Sequence, residues 1–210
     1  MKSLLTPPHT SWTHRLSRVL VAPLVGSRIT PNDLTTARLV TGLGACAAFM
    51  PGTAPWTLWG GILWLVSCLL DRADGELARM GGKTTPWGHR YDYYCDVAIN
   101  SLLFFSIGVA VRDSALGEWA VALGCLSALA IAAASILSEW LEQVTDDGAK
   151  AYSGILGFDF DDLLYLLGPA AWFGAFPYIL IGAAVCTPVV AGLTAFRYYR
   201  LRSMDAAREI

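Results

Sequence analysis

The sequence predicts an all-α integral membrane protein: six transmembrane helices preceded by an N-terminal interfacial amphipathic helix. Three observations carry this. Of 210 residues, 55% are hydrophobic and 15% charged, with a mean hydropathy of +0.48, well outside the soluble average. The apolar residues gather into runs that approach the ~20 residues a bilayer crossing needs. All but one of the 15 Lys and Arg fall on one side of a membrane once those runs are threaded through it.

The first element is the stretch SWTHRLSRVLVAPLV, which places Trp12, Leu16, Val19 and Leu20 on one helical stripe and His14, Arg15 and Arg18 away from it. That is the pattern of a helix lying along a membrane surface; a short helix packed on the bundle is the alternative. Six spans follow at roughly 33–50, 55–79, 88–111, 118–141, 162–176 and 177–200. The uncharged run 163–196 is too long for one span, and the stretch from Gly174 to Pro177 is the expected break, although Pro169, Pro177 and Pro188 also suit kinks. The N-terminus carries no apolar region and cleavage site of the signal-peptide kind. Residues 1–30 are therefore read as a cytoplasmic or interfacial segment, 31–203 as the six-helix domain and 204–210 as a cytoplasmic tail.

With the N-terminus inside the cell, only Arg112 is left outside. Both termini are expected in the cytoplasm, in a bacterial inner membrane. The five cysteines are odd in number and lie in apolar segments, so no disulfide framework or CxxC metal site is expected. No internal repeat or second domain is visible, and no nucleic-acid partner is expected.

The chemistry is concentrated in LLDRADGELARMGGKTTPWGHRYDYYCD. Asp71 and Asp74 are i and i+3, with Ala78 on the same helical face; Gly88, Asp92 and Asp96 follow one another by four on the next helix. Two acidic stripes thus confront each other at the cytoplasmic side. An ionised carboxylate near a bilayer core costs about 2.5–3.5 kcal/mol, so compensating cations are required, and Arg79 offsets one charge. Hard oxygen ligands without a well-placed His or Cys favour Mg²⁺ or Mn²⁺ over zinc. Four aspartates suit a pair of such ions about 3.5–4 Å apart, a layout that clamps both oxygens of a phosphoryl displacement. Gly75 and Gly88 leave gaps through which a flat base or a diphosphate approaches the backbone.

This set matches the pattern D-x2-D-G-x2-A-R-x8-G-x3-D-x3-D at every position, Asp71 to Asp96. Eight fixed positions coincide by chance with odds on the order of 10⁻¹⁰ per starting point. At these residues the chain resembles the CDP-alcohol phosphotransferase family, also called CDP-alcohol phosphatidyltransferases. The segment ITPNDLT is similar to that family's entry to its first helix, with Asn32 and Thr35 the recognisable positions. The resemblance implies a homodimer in which Asp71, Asp74 and Asp92 bind one metal and Asp96 joins in binding a second. It implies that Asp96 is the base that takes the acceptor hydroxyl's proton, and that the hydroxyl attacks the donor's β-phosphate and expels CMP. Arg79 would contact the donor phosphates, and Gly75, Ala78 and Gly88, with Asn32 beside them, would shape the nucleotide pocket.

Other readings compete residue by residue. A salt-bridged helix pair would use Arg72, Arg79 and Arg90 but would not need glycines at fixed offsets. A cation or proton transporter would place its acids near the midplane, and an idle scaffold of the same fold would have no use for four costly carboxylates. His89 suits a solvated position, Lys83 a phosphate contact, and Glu76 lies off the Asp71–Asp74 face. Trp87 and Tyr94 suit an interfacial belt, and Arg197 and Arg200 a topological role. Asp159, Asp161 and Asp162 suit a cap of the fifth helix. The tract DGELAR is similar to family members with CDP-inositol donors, while the acidic FDFDD stands where those members are arginine-rich.

Overall fold

The computed structural model describes residues 12–144 and 160–206, and all regular structure among them is helical. A short helix, α1 (Trp12–Val21), leads through a 3₁₀ turn to α2 (Pro31–Phe49). The long helices α3 (Ala54–Gly81), α4 (Pro86–Ala110) and α5 (Trp119–Val144) follow. A 3₁₀ segment, Phe160–Leu166, then enters α6 (Leu167–Trp172), and α7 (Phe176–Ala206) ends the described chain. The acidic residues of the 145–159 connection, and Asp159 with them, lie outside the described residues; so does the side chain of Asp161.

Local chemistry sets the ends that matter for the site. Thr30 caps α2 by accepting from the Asp33 N–H, and Asp33 reaches back to the Thr30 N–H at 2.8 Å, with Pro31 in the first turn. This reciprocal cap satisfies two donors that the first helical turn would leave orphaned. Thr85 caps α4 one way, its hydroxyl accepting from the Gly88 N–H, again with proline following. Gly82 closes α3 at φ +60°, a left-handed conformation that glycine adopts without steric cost. Only Lys83, Thr84 and Thr85 separate it from α4, so the two acidic helices are joined by a tight turn.

Four helices, α3, α4, α5 and α7, are long and apolar enough to cross a bilayer, and they coincide with the expected spans at 55–79, 88–111, 118–141 and 177–200. Helix α2 covers the first expected span without reaching the same apolarity. The fifth expected span, 162–176, is not one α-helix. Pro169 has no N–H to give the Tyr165 carbonyl and is placed in the first turn of a six-residue helix, where that N–H would be orphaned anyway, so a 3₁₀ segment precedes it; Pro188, by contrast, lies inside α7 without ending it. The segment is pinned to α3 by side chains: Trp64 Nε1 donates to the Leu164 carbonyl at 2.8 Å and Tyr165 Oη donates to the Cys68 carbonyl at 2.8 Å. The break before α7 falls where expected, at Gly174 (φ +67°).

Helix α2 packs along α3 and α4, α5 bridges α4 to α7, and α1 and α6 lie against α3. Phe49, Trp64, Ile99, Leu103, Ile107, Phe176 and Leu180 form the shared core, with Phe49 and Phe176 edge to face at 5.0 Å. Ile181, Val185, Val189, Leu193 and Phe196 leave an exposed apolar flank along α7, as a lipid-facing helix requires. The apolar residues of α1 are also turned outward: Leu16, Val19 and Leu20 are exposed, whereas Thr13, Ser17 and Arg18 are buried against the bundle. Of the three polar residues placed away from that stripe, Arg18 and the half-buried His14 face α3, whereas Arg15 is exposed.

Helices α4 and α5 cross at glycines, where a Cβ on Gly124 would sit 2.9 Å from both Gly108 Cα and the Phe104 carbonyl oxygen. Neither neighbour is a side chain that can swing aside. Gly124→Val is expected to destabilise the protein by about 1–3 kcal/mol, read as a lower thermal unfolding midpoint in detergent, while a substitution to Ala at the open Gly182 leaves it unchanged.

Candidate active site

The two acidic stripes meet as their spacing requires. Ligand oxygens of Asp71, Asp74 and Asp92 all lie within 4.8 Å of one another. Asp74 is buried and accepts from Thr35 Oγ1 at 2.6 Å, which orients its carboxylate from α2. Asp71, Asp92 and Asp96 are more open, at 27%, 36% and 40% side-chain exposure. Oxygen donors at this separation fit one hard divalent ion, since Mg²⁺ takes ligands at about 2.0–2.1 Å and rotation of the more open carboxylates closes the difference.

The residue that the sequence reading missed is Arg38, counted there only as topological charge. It is buried on α2, and its Nη1 lies 2.9 Å from Asp71 Oδ1 and 3.1 Å from Asp92 Oδ1. Its Nη2 donates to Asp96 Oδ1. Arg79, expected to offset an aspartate, instead donates to Glu76 Oε1 at 2.7 Å. Glu76, which turns away from the aspartates as its helical position requires, is among the most buried side chains of the protein and also accepts from Arg18 Nε.

Two cavities flank the cluster. The larger, about 190 Å³, is walled by Asn32 and Thr35 of α2, Asp74, Gly75, Ala78 and Arg79 of α3, and Gly88, His89 and Asp92 of α4. The N-terminal turns of α2 and α4 both line it, so their helix dipoles favour an anion there. Gly75 leaves room for the Arg79 guanidinium, whose Nη2 would be 3.2 Å from a Cβ; a Cβ on Gly88 would press on Asn32 Oδ1 at 3.1 Å. The smaller, about 80 Å³, has Arg38, Ser67, Asp71, Arg72, Asp96, Asn100 and Tyr165 on its walls. Asp74 and Asp92 thus face one cavity, Asp71 and Asp96 the other, with Arg38 between.

The remaining candidates divide plainly. Lys83 lines the larger cavity, but its Nζ donates to the carbonyls of Ser27 and Ile29 at 3.3 Å, tying the α1–α2 linker to the α3–α4 turn. His89 lies 3.9 Å from Glu139 on α5. Asp162 does not serve as a simple helix cap: it accepts from Thr13 Oγ1 at 2.7 Å and lies 3.5 Å from Arg72 Nη2. Trp87 and Tyr94 are exposed. Arg197 and Arg200 are exposed on α7 and line neither cavity.

A family model described as CDP-alcohol phosphatidyltransferase matches residues 28–190, most of the chain and all of the acidic motif. The chain belongs to this family. Its curated relatives include the bifunctional IPC transferase and DIPP synthase of Aquifex aeolicus (strain VF5), 28% identical over 96 residues, or 45% of this chain and 21% of that protein. Another is the phosphatidylinositol phosphate synthase of Corynebacterium glutamicum, 28% identical over 95 residues, or 43% of this chain and 42% of that protein. The aligned stretch is less than half of either relative. Family membership and four apolar helices make this CDP-alcohol phosphatidyltransferase homologue an integral membrane protein.

Proposed function

We propose that the protein transfers a substituted phosphate from a CDP-linked alcohol to the hydroxyl of a second alcohol, releasing CMP, in phospholipid synthesis. At least one of the two alcohols is a lipid. The observation that carries this reading is the convergence of Asp71, Asp74 and Asp92 at the edge of a cavity that also holds Asn32, Gly75, Ala78, Arg79 and Gly88. Metal ligands and a recess lined by Arg79 and Lys83 share one wall.

In this reading the nucleotide end of the donor occupies the larger cavity. Arg79 and the N-termini of α2 and α4 bind its phosphates, and Gly75, Ala78 and Gly88 let the nucleotide lie close to the backbone. The acceptor hydroxyl enters beside Asp96 from the smaller cavity, where Asn100 and Tyr165 offer polar contacts. Asp96 takes the hydroxyl proton as the new O–P bond forms at the β-phosphorus; the bond to the bridging oxygen breaks, and CMP leaves with that electron pair. Arg38 orients Asp96 for this task and gathers the acidic stripes before substrate arrives. Two divalent ions, Mg²⁺ or Mn²⁺, held by Asp71, Asp74 and Asp92 and by a site shared with Asp96, would neutralise the phosphates and acidify the acceptor hydroxyl.

The same reading completes the membrane arrangement: α2 and the Phe160–Trp172 segment make up six passes with α3, α4, α5 and α7, and α1 rests its exposed Leu16, Val19 and Leu20 in the cytoplasmic interface. The acids then face the cytoplasm, and two chains pair as a homodimer. The test is CMP release from CDP-diacylglycerol and soluble CDP-alcohols against a panel of alcohols that includes inositol and a phosphorylated inositol. Release that requires Mg²⁺ or Mn²⁺ and one acceptor supports the reading. Absence of metal-dependent CMP from every donor overturns it.

A further inference from the structure

Behind the acidic cluster, on the opposite side of α3, lies a second polar cluster that the proposed chemistry does not use. At its centre is Glu76, 1% exposed, with Arg18 Nε donating to Oε2 at 2.5 Å, and Arg79 Nη2 at 2.7 Å and His14 Nδ1 at 2.8 Å on Oε1. The other ring nitrogen, His14 Nε2, is 3.2 Å from Arg72 Nη1. A guanidinium only donates, so Nε2 accepts; the ring is neutral, with its proton on Nδ1 and given to Glu76. The His14 pKa lies below the usual histidine value, from burial first and then from Arg72.

The two arginines held in this way serve different cavities. Arg79 lines the larger and Arg72 the smaller. We propose that His14 is a positioning residue: from α1 it holds Arg79 through Glu76 and Arg72 directly, so that the seating of α1 sets the affinity of both substrate cavities at once. Thr13, the preceding residue, reinforces the arrangement by donating to Asp162, which itself lies beside Arg72. A merely structural helix would need contacts to α3 but no ring with one donating and one accepting nitrogen between two cavity arginines.

The inference rests on the functional reading above for what the cavities bind, yet equilibrium binding tests it separately from catalysis. CDP with Mg²⁺ is titrated calorimetrically into full-length wild-type, His14→Ala and His14→Gln proteins, alongside acceptor KM and thermal unfolding. His14→Ala is expected to weaken CDP about tenfold, the scale of losing an outer-shell partner, and to raise acceptor KM comparably, with kcat within about twofold. Gln carries a donor and an acceptor, so His14→Gln restores both.

Among the described residues, His14 meets Glu76 and Arg72 and feels Arg79, all of α3, while Arg18 of its own helix and Asp162 of the 3₁₀ segment stand one contact further out, on Glu76 and Arg72 respectively. Protonation removes the acceptor for Arg72 and adds a cation beside it. Wild-type CDP affinity is therefore expected to fall on acidification, at pH below the ordinary histidine range because burial lowers the His14 pKa, relative to His14→Gln, which has no ring to titrate. Unchanged CDP affinity and KM in His14→Ala, a loss confined to kcat or to the unfolding midpoint, or parallel pH profiles for wild type and His14→Gln would each overturn the proposal. Wild type that binds CDP but releases no CMP defeats the transferase reading alone; wild type that binds no CDP defeats both.

Discussion

Asp96→Asn is expected to slow CMP release by about 10²–10⁴-fold, the usual worth of a general base, while Mn²⁺ still binds at Asp71, Asp74 and Asp92. Asparagine keeps the size of the side chain and an oxygen that accepts from Arg38, but it has no affinity for the acceptor proton. Asp74→Asn makes the contrast. Its amide retains the hydrogen bond from Thr35, so the fold holds, yet the buried anionic ligand is gone and Mn²⁺ affinity is expected to collapse with activity. Mn²⁺ binding followed by electron paramagnetic resonance, beside single-turnover CMP release, separates the two residues. Equal activity of Asp96→Asn and wild type would remove Asp96 from the role of base.

The second large effect belongs to Arg38. Its guanidinium meets three carboxylates, and Arg38→Met leaves them facing one another without the cation they share. Breaking a fully buried pair costs about 3–5 kcal/mol; here Asp92 and Asp96 are 36% and 40% exposed, so solvent screening reduces the expected loss to about 2 kcal/mol. The lower unfolding midpoint is expected to recover more with Mn²⁺ than wild type gains, because the ion no longer competes with the guanidinium and an ion that binds only the folded state stabilises it more the tighter it binds. An Arg38→Met protein as stable as wild type without metal would show that the carboxylates do not depend on this arginine.

Much of this arrangement is legible from spacing. Intervals of three and four put Asp71 with Asp74 and Asp92 with Asp96, and the tight turn at Gly82 keeps those faces opposed. Four apolar runs stand out by length alone, and the break at Gly174 follows from the excess length of the last one. Arg38 was missed because an arginine at the end of a membrane helix satisfies the positive-inside pattern without further explanation. The available signal was that Asn32, Thr35 and Arg38 follow one another by three, a stripe on α2 that faces the acids.

The Glu76 cluster was harder to read. Its partners His14 and Arg18 are 62 and 58 residues away, and helical periodicity says which way a side chain points but not which element will meet it. The fifth segment yields the same lesson, since its apolarity suggested a whole helix while its entry is pinned to α3 as a 3₁₀ turn by Trp64 and Tyr165.

Arg38 also bears on how such a protein survives shortage. A site whose acids are gathered by a residue of the same chain does not rely on a scarce ion to come together during membrane insertion. On the proposed function, a divalent ion arriving later would exchange with a guanidinium instead of nucleating a fold. Cells starved of that ion would then hold a dormant but intact pool of this protein in the membrane, ready for reactivation without new synthesis.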